Sequence, residues 1–158
     1  MLAVPGFRGY KLKEQRREAD RIVRTYIYDV MERSRDDLTT CLQALTDNRL
    51  TELVEPMNRL IAKVDRVAEK INHASYGYAG FFESVRIEDP DLDRMLGYDT
   101  QLMDLARKLS ELTTSLRTSL AENKPDDARN AELQLDGAIG SLELAFDQRK
   151  SVIEGVKV

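Results

Sequence analysis

The chain has 158 residues, 42% of them apolar and 33% charged, with a formal net charge of −4. That length suits a single domain, and the acidic balance speaks against general nucleic-acid binding, which needs a basic surplus. The one cysteine, Cys41, excludes an internal disulfide, and no apolar run approaches the roughly 20 residues that cross a bilayer.

Residues 1–9 read as a tail, because Pro5, Gly6 and Gly9 oppose a helix there. The segment lacks the basic start and apolar length of a signal peptide, so a cytoplasmic protein is expected. A first helix is predicted from Tyr10 to Leu45, with Ala19, Ile22, Val23, Tyr26, Val30, Leu38, Cys41, Leu42 and Leu45 as its apolar positions. Cys41 falls on that apolar side and reads as a buried, inert thiol. The stripe thins over residues 32–37, ERSRDD. Thr46, Asp47 and Asn48 form a turn with capping chemistry.

A second helix follows from Arg49 to Ala74, with Pro56 dividing off a short first piece. Leu50, Leu53, Met57, Leu60, Val64, Val67, Ile71 and Ala74 recur at spacings of 3 and 4 throughout. That is the period of a helix pressing one continuous seam on its neighbours. Residues 75–89 make a connection longer than the usual 2–8 of a helix bundle, and one rich in aromatics.

Asp89 followed by Pro90 marks a helix start, and Glu88, Asp89, Asp91 and Asp93 set negative charge at the positive end of the dipole. The third helix runs to Glu122 on the seam Met95, Tyr98, Leu102, Leu105, Leu109, Leu112, Leu116 and Ser119. Pro125 opens a fourth helix reaching Glu154, with a small-residue seam of Ala128, Ala131, Leu135, Ala138, Leu142 and Ala145. Gly137 and Gly140 suggest a close helix approach or a kink, and the small residues of the seam, which let backbones pack tightly, make this helix the expected most enclosed contact. The expected fold is all-α: an elongated up-down-up-down four-helix bundle over residues 10–158, with coiled-coil-like packing and a long aromatic loop between helices 2 and 3.

Helix 2 is too short to reach the start of helix 1, so the N-terminal segment, the loop and the C-terminus should gather at one end. Six of the ten aromatics are concentrated there: Phe7, Tyr10, Tyr76, Tyr78, Phe81 and Phe82. Arg8, Lys11, Lys13, Arg16, Arg17, Arg21 and Arg24 make the same end basic. Aromatics with arginines are the composition of interface centres. The candidate partner-binding residues are therefore Phe7, Arg8, Tyr10, Lys13, Arg17, Tyr76, Tyr78, Phe81 and Phe82. The competing reading makes the loop a cap over the core.

Catalytic and metal-binding patterns do not emerge. The single histidine, His73, has Lys70 three places before it, where a di-iron bundle needs glutamate, and reads as a surface or helix-end group. Asp89, Asp91 and Asp93 begin like a calcium loop, but Arg94 and Thr100 stand where glycine and glutamate are required. No phosphate-binding glycine motif exists. A non-enzymatic interaction or scaffold protein without a cofactor is expected, docking a protein partner or a second copy of itself as a homo-oligomer. The alternative is a peripheral protein that meets an anionic membrane surface through its basic, apolar N-terminal segment.

Overall fold

A computed structural model describes the backbone of residues 5–47, 49–74 and 89–155, and the side chains of 18–47, 49–74, 94 and 96–151. It is all-α over these residues: α1 (Pro5–Asp47), a 3-10 turn (Thr51–Leu53), α2 (Val54–His73), α3 (Asp89–Ala121) and α4 (Pro125–Gly155). Helix α1 begins inside the segment read as a tail. Proline suits a first helical position, because its missing N–H would be unpaired there and its φ is already helical.

Both short turns are built by the same device. Leu50 N–H donates to Leu45 O at 3.0 Å and Arg49 N–H to Thr46 O at 3.3 Å, with Arg49 at φ 59°. Lys124 N–H donates to Ser119 O at 2.9 Å and Asn123 N–H to Leu120 O at 3.1 Å, with Asn123 at φ 54°. These are Schellman closures, in which one left-handed residue satisfies the last carbonyls of the helix. They replace the capping expected at residues 46–48: Leu50 precedes the 3-10 turn with no side-chain cap, and Asn48 lies outside the described residues.

The seams are confirmed as core. Leu53, Met57, Leu60, Val64, Val67 and Ile71 of the second-helix pattern are buried, as are Leu102, Leu109 and Leu116 of α3. On α4, Ala128, Ala131, Leu135, Ala138, Ile139, Leu142, Ala145 and Phe146 are buried together. Two positions of α1 differ. Ala19 and Ile22 are exposed, and Asp20 is buried in their place.

Helix α1 packs against α2 and α3, and α4 packs against α3 and α2. Directions follow from the ion pairs. Arg35 meets Asp65, with Tyr28 near Glu69, so α2 returns along α1. Asp37 meets Arg117 while Asp20 and Asp99 share Arg149, so α3 runs the same way as α1. Helices consecutive in the chain are thus antiparallel, and α2 stands diagonally from α3.

That placement accounts for the long connection. Counted from the Arg35–Asp65 pair, Ala74 lies level with Tyr26. Counted from Asp20 and Asp99, Asp89 lies level with Tyr10. The chain from α2 to α3 must therefore climb about 24 Å along the axis as well as cross the diagonal, which a tight turn cannot do.

Arg49 holds a left-handed conformation without being glycine, at a cost on the order of 1 kcal/mol. Arg49→Gly is expected to stabilise the fold by about that amount, raising Tm by about 2–4 °C. Thermal melts followed by far-UV circular dichroism check it; an unchanged or lowered Tm would count against the closure.

Candidate functional site

The end where α1 begins, α2 stops, α3 begins and α4 finishes holds a buried cluster of charges. Arg149 of α4 is 1% exposed. Its Nη1 donates to Asp20 Oδ1 of α1 at 2.6 Å, and its Nε donates to Asp99 Oδ1 of α3 at 2.6 Å. Arg24 Nε donates to the other oxygen of Asp20, Oδ2, at 2.8 Å. Two guanidinium groups and two carboxylates thus close a neutral cluster joining three helices. Burial, the largest single influence on Arg149, works against its charge. Asp20 and Asp99 outweigh it and hold the group above its ordinary arginine pKa. One nitrogen, Arg149 Nη2, is buried without a partner among the described residues.

Each charge of the cluster occupies a core position of its helix. Arg149 continues the seven-residue phase of Leu135 and Leu142. Asp20 shares phase with Ile27, Ser34 and Cys41, and Asp99 with Ala106, Thr113 and Leu120. Sequence reasoning passed over these residues because it tracked apolar positions, although a charge in phase with a leucine heptad was a visible signal.

Near the height of the cluster, three large apolar side chains are open to solvent. Ile22 is 59% exposed and Leu96 is 55% exposed, with Met103 also open to solvent. On α3, Met103 and Leu96 stand two and three heptads before Arg117, the residue that faces α1. On α1, Ile22 lies almost level with Asp20. Leu96 and Met103 therefore lie on the α1 side of α3 near the height of the cluster, while Ile22, in phase with the exposed Asp29, Asp36 and Gln43, lies on the outer face of α1.

Of the residues expected to bind a partner, Phe7, Arg8, Tyr10, Lys13 and Arg17 lie on the backbone of α1 beyond the level where α2 stops, and their side chains are outside the described residues. Tyr76, Tyr78, Phe81 and Phe82 lie wholly outside them. Two of the basic residues counted at this end are engaged locally: Arg24 with Asp20, and Arg21 with Glu18 at 3.1 Å.

The α2–α4 seam carries a different electrostatic pattern, a ladder along its outer edge. Arg129 reaches Glu52, Lys63 meets Asp136 at 2.7 Å, Arg66 grips Glu143 through two bonds of 2.6 and 2.9 Å, and Lys70 bridges Glu143 and Asp147. The Arg66 hydrogen bonds, with Lys70 adding to them against some desolvation, hold the Glu143 carboxyl down to about 2. Glu132, one turn before Asp136, is buried instead. Burial first, and then the Asp136 charge, pushes its carboxyl above the ordinary range.

Elsewhere the described residues offer little room for chemistry. A shallow cleft of about 220 Å³ between α1 and α3 is lined by Thr40, Cys41, Ala44, Arg117, Leu120 and Ala121. That is smaller than ordinary ligand sites, which run from about 300 to 1,000 Å³. Cys41 within it is 2% exposed, and burial raises its thiol pKa, which disfavours the reactive thiolate. His73 is exposed on the last turn of α2, its Nδ1 2.9 Å from Glu69 O. Among the described residues no group of three or more His, Cys, Asp or Glu could hold a metal ion, and no helix is long and apolar enough to cross a membrane.

Removing one member of a buried charge cluster strands the others. Asp20→Ala is expected to cost about 3–5 kcal/mol, a fall in Tm on the order of 10 °C. Arg149→Met should cost less, because Arg24 still neutralises Asp20 and Asp99 is partly open to water. Equal losses in urea titrations of the two variants would contradict the cluster geometry.

Two substitutions on α4 should act in opposite directions. Glu143 has a folded pKa below its unfolded value of 4.5. Its stabilisation is therefore complete above pH 4.5 and lost as pH falls through about 2. Because Arg66 is largely exposed, Glu143→Gln should cost only about 1 kcal/mol at neutral pH, and it should flatten the acid limb of the stability curve. Glu132 has a raised folded pKa, so its charge opposes folding as pH rises through the unfolded carboxylate range, and Glu132→Gln should raise Tm at neutral pH. Thermal melts from pH 2 to 8 separate the two cases.

No protein-family model matches the chain, and no curated protein or solved structure matches it either.

Proposed function

We propose that this chain is a non-enzymatic interaction or scaffold protein that associates with itself and docks a protein partner at the end of the bundle where α1 begins. In this reading the basic and aromatic residues that the sequence gathers in the α1 start and the 75–89 connection supply the contacts, and the coiled-coil-like bundle serves as a rigid support.

The observation that carries the reading is the placement of Ile22, Leu96 and Met103. They are exposed on the part of the molecule that α2 does not reach, close in height to a buried ion cluster that joins α1, α3 and α4. Large apolar side chains exposed on an otherwise charged surface are candidates for a docking site.

A photo-crosslinking side chain placed at position 22 or 96 is expected to yield a discrete protein adduct in extracts of the source cells. The same group at Arg59 or Glu111, exposed positions away from this end, should yield none. Labelling that is equal at all four positions, or absent from 22 and 96, would remove the docking end from consideration. Adduct formation with lipid alone would point instead to a membrane surface.

A further inference from the structure

Two glycines of α4 lack a reason inside the chain. Glycine in a helix interior is unfavourable because it is the residue with most freedom to lose. Gly137 and Gly140 have ordinary negative φ. A Cβ built on Gly137 would meet nothing within 4 Å, and one on Gly140 would meet only Lys63 Nζ at 3.8 Å, an ordinary contact. A close approach at these glycines is thus not made by any described helix of this chain, although the small-residue seam on the other side of α4, from Ala128 to Ala145, is buried as its composition suggested.

The face that carries them is unusual in two further ways. Leu133 and Leu144 flank the glycines on the same side and are 63% and 58% exposed, among the most open large apolar residues described. The solvent face from Asn130 to Ser151 is also free of charge along its centre: Asn130, Leu133, Gln134, Gly137, Ser141, Leu144, Gln148 and Ser151. In a chain one-third of whose residues are charged, that is the charge depletion of an interface core.

We propose that this face is the contact between two copies of the chain, α4 lying antiparallel on its counterpart about a two-fold axis midway between Gly137 and Gly140. The occupant follows from the symmetry of the pattern. Leu133 and Leu144 are equally distant from that midpoint, and so are Gly137 and Gly140. A two-fold axis there sets each leucine on the other copy's opposite leucine and each glycine on the opposite glycine, as an isologous contact requires. The edges agree in charge. On the α2 side the axis brings Arg129 to Asp147 to within one residue, each of them already holding a partner in its own chain, Glu52 and Lys70. Asp136 and Glu143 on that edge are already neutralised by Lys63, Arg66 and Lys70. On the far edge Asn130 comes opposite Gln148, amide to amide. This proposal rests on the reading of the chain as self-associating and names the surface that does it.

The test uses the full chain over a wide concentration range in sedimentation velocity. The wild type is expected to pass from monomer to dimer, and Leu133→Glu with Leu144→Glu should stay monomeric with an unchanged Tm measured in dilute solution. Gly137→Ala with Gly140→Ala should raise the Tm of the monomer yet weaken the dimer at least tenfold, a combination that a purely structural role for the glycines does not produce. Cysteines placed at both 133 and 144 should be linked between copies by a short bismaleimide. Either one alone should not, because the antiparallel pairing holds identical positions about 16 Å apart. Cross-linking by a single cysteine, or a dimer indifferent to the leucine and glycine changes, overturns this surface. If Ile22→Glu with Leu96→Glu abolishes the dimer while the α4 variants keep it, self-association stands and only its location fails. A wild type that is monomeric throughout removes self-association as well.

Discussion

A buried guanidinium leaves a helix few places to sit. Leucine seams repeated every seven residues are satisfied about equally after a seven-residue slip, since each knob finds another apolar hole. Arg149 is in phase with Leu135 and Leu142 and does not share that tolerance. Slipped by one heptad along α1 and α3, it would face Ile27 and Ala106, and an unpaired charge would be left in a low-dielectric core at a cost of several kcal/mol. Only the observed register gives it both Asp20 and Asp99. Hydrophobic burial supplies the cohesion of the bundle, and this cluster selects one alignment of α1, α3 and α4 among several that would bury similar area.

Helix α2 is aligned by a different means. It contributes no residue to the buried cluster and meets α4 along an exposed ladder of lysine and arginine against aspartate and glutamate. Exposed pairs are individually worth little; here Glu52 with Arg129, Lys63 with Asp136, Arg66 with Glu143 and Lys70 with Asp147 all agree on one alignment of α2 along α4. The two alignments have different sensitivities. The ladder weakens with salt and with acid, as Glu143 is protonated, whereas the buried cluster is screened much less.

The fold was legible because its information is periodic. Eight successive second-helix positions, Leu50 to Ala74, were assigned to one face by spacing alone, and six of them are fully buried while Leu50 and Ala74 are partly so. Pro125 gave the start of α4 for the same local reason that Pro5 gives the start of α1, although at Pro5 the nearby glycines hid it. What periodicity could not supply was the phase of a stripe that contains charge. At the start of α1, Ala19 and Ile22 looked like core and Asp20 like surface, and the reverse holds. The error arises because burial there is decided by Asp99 and Arg149, which are 79 and 129 residues away in sequence. The glycines of α4 were misplaced on the same ground: their spacing indicates close approach, but only coordinates tell whether the approaching body belongs to the chain. The aromatic loop residues proposed as a binding surface stay as proposals, since they lie outside the described residues.

Helix α4 divides its circumference into three environments, and the division has a consequence for assembly. One face is core, ending in Arg149. A second is the ionic edge toward α2. The third carries Leu133, Gly137, Gly140 and Leu144 without charge. On the proposed antiparallel pairing, the axis passes between Gly137 and Gly140, and Arg149, which marks the height of Ile22 and Leu96, lies about 16 Å along the helix from it. The two docking ends of a dimer then point in opposite directions, separated by about 32 Å along the common axis. A parallel dimer would place both ends side by side and favour gripping one partner twice. The antiparallel one holds two partners apart at a fixed distance, so that binding at one end does not obstruct the other, and a partner long enough to touch both gains from the linkage as tethered sites do. The rigidity needed for such spacing is supplied by the buried arginine cluster, which keeps each docking end in register with the helix that joins the copies.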